Sequence, residues 1–461
     1  MSQLKLHNTL SKSLEDFEPL KEDEVKLFVC GPTVYDRSHI GHAKTYVQMD
    51  VLARTLKALG YKTIYLQNIT DIDDKIILRA QEEGRDWEEV AREYESAYRE
   101  DMETLNNTSV DKYAKATDYI DNIINQIQTL LDKGFAYLVD GDGIYFEIAK
   151  FKDYGKLSGR KDVQENDARS RIDESDRKRG WNDFCLWKFS KPEEPEWPAP
   201  FGSGRPGWHI EDTAITEKEF GSQYDIHGGA IDLIFPHHEA EITQMESISG
   251  KKPFVRYWLH SGFLNINKSK MAKSAKNFHT IKDVVNKGYN PMALRLLILQ
   301  SHYRSSIDFS WEVLDAASNR LETMQAVADL RYQLVDEDTK IGFINYQQKL
   351  LGSISQDLDT PKTLSELSSQ FNVISNYLVG KNQKAEFNQY LEFIDQLLGL
   401  KLLDSADISK AQQQLLAKRA AARKQDDWSQ ADEIRQELLD QGLEVRDTPA
   451  GQIWSKRLIS S

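Results

Sequence analysis

The chain has 461 residues, 59 basic and 73 acidic, for a formal net charge of −14. Its length supports two or three domains with large cores, and the acid excess argues against nucleic-acid binding by overall charge without deciding it, since a local basic face can sit on an acidic body. Two cysteines are too few for a disulfide framework. No apolar run is long enough to span a bilayer, so a soluble, cytoplasmic protein with no membrane partner is expected.

Residues 1–23 are polar and carry no motif. Glu24 to Val29 reads as a short β-branched and aromatic strand, followed by the Gly/Pro-broken stretch Cys30-Gly-Pro-Thr-Val-Tyr-Asp-Arg-Ser. From Ala43 to Leu59 the apolar residues Val47, Val51, Leu52, Leu56 and Leu59 recur at helical spacing, ending at Gly60. The turn between them closes on His39-Ile-Gly-His42, a helix N-terminus whose unpaired amides and partial positive charge suit a phosphate. Gly41 leaves room for a flat ligand, although His-x-x-His alone is more often an ordinary βα turn. Lys62 to Ile69 predicts a second buried strand, and strands alternating with helices predict a parallel, doubly wound sheet. Thr70-Asp at its end is either a ligand contact or a routine N-cap.

A charged helical stretch runs from Ile76 to about Lys133. Gly134 to Val139 and Gly143 to Ile148, split by Asp140-Gly-Asp, predict a hairpin that interrupts the βαβ pattern as an insertion. Residues 161–180 are densely charged and read as an exposed loop. The Pro-rich run Lys191 to Pro200 then returns the chain to the main sheet, whose second half runs to about Ser301 and includes the polar loop bearing Lys270-Met-Ala-Lys-Ser274. Trp311 to Leu398 predicts a helical bundle broken near Asp359-Thr-Pro361 and Gly380. An alanine-rich helix from Ala411 to Lys424 carries Lys418, Arg419, Arg423 and Lys424. Past Gly442, Leu443 to Trp454 predicts strand–turn–strand. With Trp428 and Trp454, that basic helix offers phosphate contacts and stacking surfaces, although such a helix is usually just a solvated face.

His39-Ile-Gly-His42 and Lys270-Met-Ala-Lys-Ser274 resemble the two signatures of class I aminoacyl-tRNA synthetases. Together with Cys30, Asn68-Ile-Thr-Asp-Ile-Asp-Asp-Lys75, Gly207-Trp-His-Ile210 and Asp225-Ile-His-Gly-Gly229, they resemble the cysteinyl-tRNA synthetases over nearly the whole chain. The resemblance implies ATP-dependent ligation of L-cysteine to tRNA-Cys by a monomer, with ATP carrying magnesium and one zinc bound per chain. His39, His42, Lys270 and Lys273 would then be catalytic, and Gly41 and His227 would join His39, His42 and Lys273 around ATP. Cys30, Thr70, Trp208 and His237 would line the cysteine pocket.

The family's zinc ligands fall on Cys30, Asp212, His237 and Glu241, with aspartate where the family has a second cysteine. Thiolate and carboxylate carry the same charge, and zinc accepts carboxylate oxygen, so the set remains serviceable. The alternative is a site that has lost its metal, with Asp212 making only a hydrogen bond. His237 and Glu241 lie four apart, on one face of a helix that Pro236 would start. Cys185 reads as a small buried residue.

The implied layout is a Rossmann-type catalytic domain in two halves, 1–130 and 207–310, around a connective insertion at 131–206. A tRNA-binding helical bundle follows at 311–402 and a small anticodon-binding domain at 403–461. Two rival functions are a cysteine ligase with a non-tRNA amine acceptor and a non-catalytic RNA-binding paralogue. The intact C-terminal region, including Ala420 to Trp428, weighs against the first, since a small acceptor needs no anticodon reader, and His39, His42, Lys270 and Lys273 weigh against the second.

Overall fold

The opening residues do more than their polarity suggests. In the computed structural model, which describes residues 3–160, 177–266, 268–270, 278–448 and 451–456, β1 (Lys5–Asn8) and β2 (Ser13–Asp16) form an antiparallel hairpin. Leu4, Leu6 and Phe17 are buried by it. Asn8 Oδ1 accepts the amide of Trp258 at 3.0 Å and its Nδ2 donates to the carbonyl of Arg256 at 3.0 Å, tying the hairpin to the main sheet.

The central sheet is parallel. It is built from β3 (Glu24–Val29), β4 (Lys62–Ile69), β5 (Lys112–Lys115), β10 (Tyr224–Ala230) and β11 (Val255–Ser261), in the order β11-β10-β3-β4-β5. The chain leaves the centre in one direction, returns and leaves in the other, which is the doubly wound topology. Its switch point lies between β3 and β10, and open α/β sheets place their ligands beyond the carboxyl ends of strands there. Helix α1 (Ile40–Ala58) links β3 to β4; α2 (Asp74–Glu83) and α3 (Trp87–Thr104) precede β5; α4 (Ile120–Asp132) follows it. Val25, Leu27, Phe28 and Val29 are fully buried, as a strand covered on both faces requires.

The predicted hairpin is present as β6 (Ala136–Val139) and β7 (Gly143–Phe146), which join β8 (Phe184–Phe189) and β9 (Gly204–Pro206) in a separate antiparallel sheet. The Pro-rich run therefore connects two strands of the insertion and does not itself return to the parallel sheet. Cys185 is buried in β8. Most of the charged stretch at 161–180 lies outside the described residues. The chain then forms α5 (Ile210–Phe220), β10, α6 (Glu239–Ser249) and β11, followed by the short strands β12 (Leu264–Ile266) and β13 (Ser269–Lys270).

Two compact units result. The first comprises residues up to 283 together with 303–308, and the second comprises 284–302 and everything from 309 onward. Residues 303–308 join the first unit through bonds from Gly262 N to Tyr303 O and from Ile307 N to Phe263 O. Along the chain, α7 (Ile281–Asn286) and β14 (Ile307–Phe309) each cross from the first unit into the second, and α8 (Pro291–Leu299) belongs to the second. The second unit continues with α9 (Trp311–Ala328), α10 (Phe343–Ile354), α11 (Thr360–Tyr377) and α12 (Lys384–Leu398). Asp359 caps α11 with Pro361 in its first turn, so the break read from Asp-Thr-Pro is a helix start.

At the C-terminus, α13 (Lys410–Lys424) and α14 (Trp428–Asp440) pack on the hairpin β15 (Leu443–Thr448) and β16 (Gly451–Lys456). Ile434, Leu438, Leu443, Val445 and Trp454 form their core. Two expectations for this segment change. Trp454 is buried, with its amide donating to Gln333 Oε1 at 2.7 Å, so it offers no stacking face, whereas Trp428 is 54% exposed. Arg419 is buried in a two-pronged bond to Asp447, both contacts 2.9 Å, and Arg423 reaches the same carboxylate at 2.6 Å. Of the four basic residues, only Lys418 and Lys424 are fully on the surface.

Candidate active site and metal centre

The first signature turns out to be a self-capped helix start. His39 is the N-cap of α1, and its Nδ1 accepts the amides of Gly41 at 3.1 Å and His42 at 3.2 Å. His42 Nδ1 accepts the amide of His39 at 3.4 Å, and the two rings stack with centroids 3.8 Å apart. The Ile40 amide donates to the carbonyl of His279. The amides expected to meet phosphate are therefore already bonded, and what the motif presents is a stacked imidazole pair. Burial, then the charges of His39 and Lys75, push the His42 pKa well down, so that ring is neutral at physiological pH. Lys270 ends β13, paired with Asn265 of β12. Lys273 lies outside the described residues.

At the switch point the chain is packed tightly. A side chain at Gly31 would place its Cβ 1.7 Å from the carbonyl oxygen of Asn68, so only glycine lets β3 turn there. Gly228 and Gly229 clear space in the same way, the second for the ring of His238 at 2.8 Å. Thr70 is buried at the end of β4, and its amide and carbonyl bond back to Pro32 and Val34.

Cys30, at the end of β3, is the hub. Its Sγ lies 3.3 Å from Asp212 Oδ2, 3.9 Å from Glu241 Oε1, 3.2 Å from His227 Nε2 and 3.1 Å from His238 Nε2. His237 Nε2 is 3.0 Å from Asp212 Oδ2 and 3.2 Å from Glu241 Oε1. All six residues are buried. Two four-residue groups that can hold zinc thus share Cys30 and Glu241: one adds Asp212 and His237, the other His227 and His238. The helical start expected at Pro236 is displaced, since Phe235 is extended (φ −140°, ψ 130°) and α6 begins at Glu239. A residue before proline is pushed out of the helical region. His237 reaches Glu241 from the turn preceding the helix.

The electrostatics of this cluster call for a cation. Burial, then Asp212 and Glu241, push the Cys30 thiol well up, and burial with Asp212 pushes the Glu241 carboxyl well up. Asp212 Oδ1 and Glu241 Oε2 are sealed from solvent, with no hydrogen-bond partner among the described residues. A divalent ion would answer the like charges and the unused lone pairs together, so the donor set fits zinc. His227 and His238 are held neutral by burial, the form in which imidazole ligates.

An outer ring of contacts, which sequence reading missed, orients these groups. His209 Nδ1 meets His237 Nδ1 at 2.8 Å, Tyr224 Oη meets His227 Nδ1 at 2.7 Å, and His238 Nδ1 meets His260 Nε2 at 2.7 Å. His260 Nδ1 in turn meets Thr9 Oγ1 at 2.7 Å, which brings the N-terminal hairpin to the site. Such partners fix tautomer and ring angle in metal sites. The doubled histidine in Phe-Pro-His-His-Glu was the available signal for His238. Trp208 stacks on His237 at 3.9 Å, walling the cluster. His227, expected near the adenosine, has its ring between Trp258 and Cys30.

Comparison with known proteins gives a consistent picture. The family model for the class I (C) tRNA synthetase catalytic domain matches residues 16–319, and that for the cysteinyl-tRNA ligase anticodon-binding domain matches residues 405–454. The cysteine–tRNA ligase of Thermoplasma volcanium is 44% identical over 453 residues, 97% of this chain and 99% of that protein. That of Aquifex aeolicus is 40% identical, with 98% and 99% covered. Among solved structures, methionyl-tRNA synthetase of Mycobacterium tuberculosis superposes with TM-score 0.59 at 15% identity, over 85% of this chain and 95% of that one. At that identity the likeness speaks for the fold alone.

Proposed function

We infer the roles of individual residues from one premise, that the chain belongs to the class I cysteinyl-tRNA synthetases. As a cysteine–tRNA ligase it activates L-cysteine with ATP and passes the cysteinyl group to the 3′ end of tRNA-Cys. Activation requires the cysteine carboxylate to attack the α-phosphate while pyrophosphate leaves, so negative charge builds on the phosphates. No side-chain nucleophile is needed; the protein positions the reactants and supplies donors. His39, His42, Lys270 and Lys273 are assigned to that task, with Gly41 completing the nucleotide site; His227, expected there, is buried with its ring nitrogens on Cys30 and Tyr224. His39 and His42 act through their ring nitrogens, since the helix amides beside them are bonded.

Cys30, Asp212, His237 and Glu241 are assigned as the zinc ligands, and Thr70 and Trp208 as walls of the cysteine pocket. When bound, zinc prefers a thiolate to a hydroxyl, which separates cysteine from the near-isosteric serine. The observation that carries the assignment is the convergence of one thiol, one imidazole and two carboxylates, two of whose oxygens are buried without partners. A second reading, with His227 and His238 in place of Asp212 and His237, draws on the two short Cys30–imidazole contacts. The enzyme is further proposed to be a cytoplasmic monomer with no membrane partner; no helix among the described residues is long and apolar enough to cross a membrane.

Zinc content and zinc X-ray absorption on the wild type and on Asp212→Asn decide between the two sets. The first predicts one sulfur and one imidazole per zinc, with zinc lost from the variant. Two imidazoles and an unchanged zinc content would establish the second. Cysteine-dependent ATP–pyrophosphate exchange, absent with serine, checks the activity alongside.

A further inference from the structure

Glu211 stands one residue before Asp212, in the first turn of α5, and is 1% exposed. Its Oε2 accepts the hydroxyl of Thr70 at 2.8 Å, and Thr70 Oγ1 is itself 3.3 Å from Asn68 Nδ2. Among the described residues Thr70 is its only hydrogen-bond partner, and no lysine, arginine or histidine forms an ion pair with it. The carboxylates of Asp212, Asp73 and Asp71 act on it, all of its own sign. A buried carboxyl with no cation is costly, and an apolar or amide side chain of similar volume would avoid the cost. Something of opposite charge is missing from this position.

Successive residues on a helix point about 100° apart, so Glu211 and Asp212 address different places from one backbone turn. Asp212 faces Cys30 and Glu211 faces Thr70, and these lie at the carboxyl ends of the adjacent strands β3 and β4. Cysteine carries its thiol and its ammonium on neighbouring carbons. A cysteine whose thiol is held at the Cys30–Asp212 side can turn its ammonium toward the neighbouring strand end, where Thr70 and Glu211 stand. We propose that Glu211, acting with the Thr70 hydroxyl, binds the α-ammonium of cysteine and is a specificity-determining residue for α-amino thiols. The proposal rests on the assignment of Cys30 and Thr70 to the cysteine pocket.

The test compares cysteine with 3-mercaptopropionate, which keeps thiol and carboxylate but lacks the amine, on the full-length zinc-loaded protein by calorimetry. The wild type is expected to prefer cysteine strongly. Glu211→Gln is expected to weaken cysteine binding tenfold or more, to leave 3-mercaptopropionate within about twofold, and to raise KM for cysteine but not for ATP. Equal losses for both thiols, or unchanged cysteine affinity, would overturn the proposal. Should Glu211→Gln lose zinc or fail to fold, Thr70→Val decides: it must weaken cysteine and spare 3-mercaptopropionate, and a cysteine affinity like the wild type's rejects the idea. If the wild type binds neither thiol, the pocket assignment itself fails, and the proposal with it, before any variant is compared.

Discussion

Among the described residues, Asp101 on α3 carries its charge with one carboxyl oxygen left without a hydrogen-bond partner. The residue is 4% exposed, its Oδ2 has no hydrogen-bond partner, and burial pushes its carboxyl up to about 6 from 3.8 despite the pull of Arg37. Between pH 4 and 6 the folded protein therefore keeps a proton that the unfolded chain has released. Stability from this group is full below pH 4, falls as pH rises through 6 and stays low above it. At 1.36 kcal/mol per unit the fall is about 3 kcal/mol. Asp101→Asn is expected to flatten that fall and to be the more stable protein at pH 7. Urea unfolding of both proteins at pH 4.5 and pH 7 measures it, and parallel pH profiles would show that Asp101 is not the cause. Sequence could not flag this residue, because an acidic position in a charged amphipathic helix looks solvated until the packing is known. The site shows the same divide. Cys30, Asp212, His237 and Glu241 were read from the resemblance, and folding brings them together. Glu211, His209, His238 and His260 gain their meaning only when β10, β11, α5 and α6 converge on Cys30, and no local spacing encodes that convergence.

At the scale of elements, strands covered on both faces and helices with clear periodicity were legible. The expected strands Glu24–Val29 and Lys62–Ile69 agree with β3 and β4, and the alanine-rich helix is α13 within a residue. The N-terminal hairpin was not legible, because Leu4, Leu6, Leu10, Leu14 and Phe17 keep no sustained alternation, and what fixes it is the distant contact of Asn8 with Trp258. The roles of Arg419 and Arg423 on α13 were misread for a related reason. A basic helix reads as a surface until an acceptor for its cations appears, and here Asp447 of β15 takes both Arg419 and Arg423. Arg419 is thus a structural pin between helix and hairpin, with Gln452 Oε1 accepting a further bond at 2.9 Å. Removing one partner of a buried pair costs about 3–5 kcal/mol. Asp447 is 35% exposed and keeps Arg423, so Arg419→Met is expected at the low end, about 3 kcal/mol. Lysine at this position lacks the planar fork and should recover only part of the loss. Thermal unfolding of the two variants against the wild type reads both effects, and a melting profile unchanged in Arg419→Met would remove the pin from the account.

The whole molecule has to reconcile a net charge of −14 with an RNA substrate. Residues 401–461 contain ten basic and ten acidic side chains, so the acid excess lies entirely in the preceding part of the chain. Of the four clustered cations of α13, Arg419 and Arg423 are committed to Asp447, which leaves Lys418 and Lys424 on the surface, and Trp428 is exposed. Phosphate contacts made by few, dispersed cations against a repelling body should be strongly screened, since each neutralised phosphate releases counterions to bulk salt. Adenylate formation differs in kind: Cys30, Asp212, His237 and Glu241 are buried, and Debye screening acts weakly on buried pairs. Raising salt from about 50 to about 200 mM is therefore expected to raise KM for tRNA by on the order of tenfold or more. Cysteine-dependent ATP–pyrophosphate exchange should change by no more than about twofold over the same range. Steady-state aminoacylation and exchange assays on one preparation measure the two responses together. If tRNA KM holds constant across the range, recognition is carried by stacking and shape, with Trp428 the first residue to replace. If both activities fall in parallel, salt acts on the adenylation chemistry, and the separation of a screened RNA surface from a buried amino-acid site is wrong.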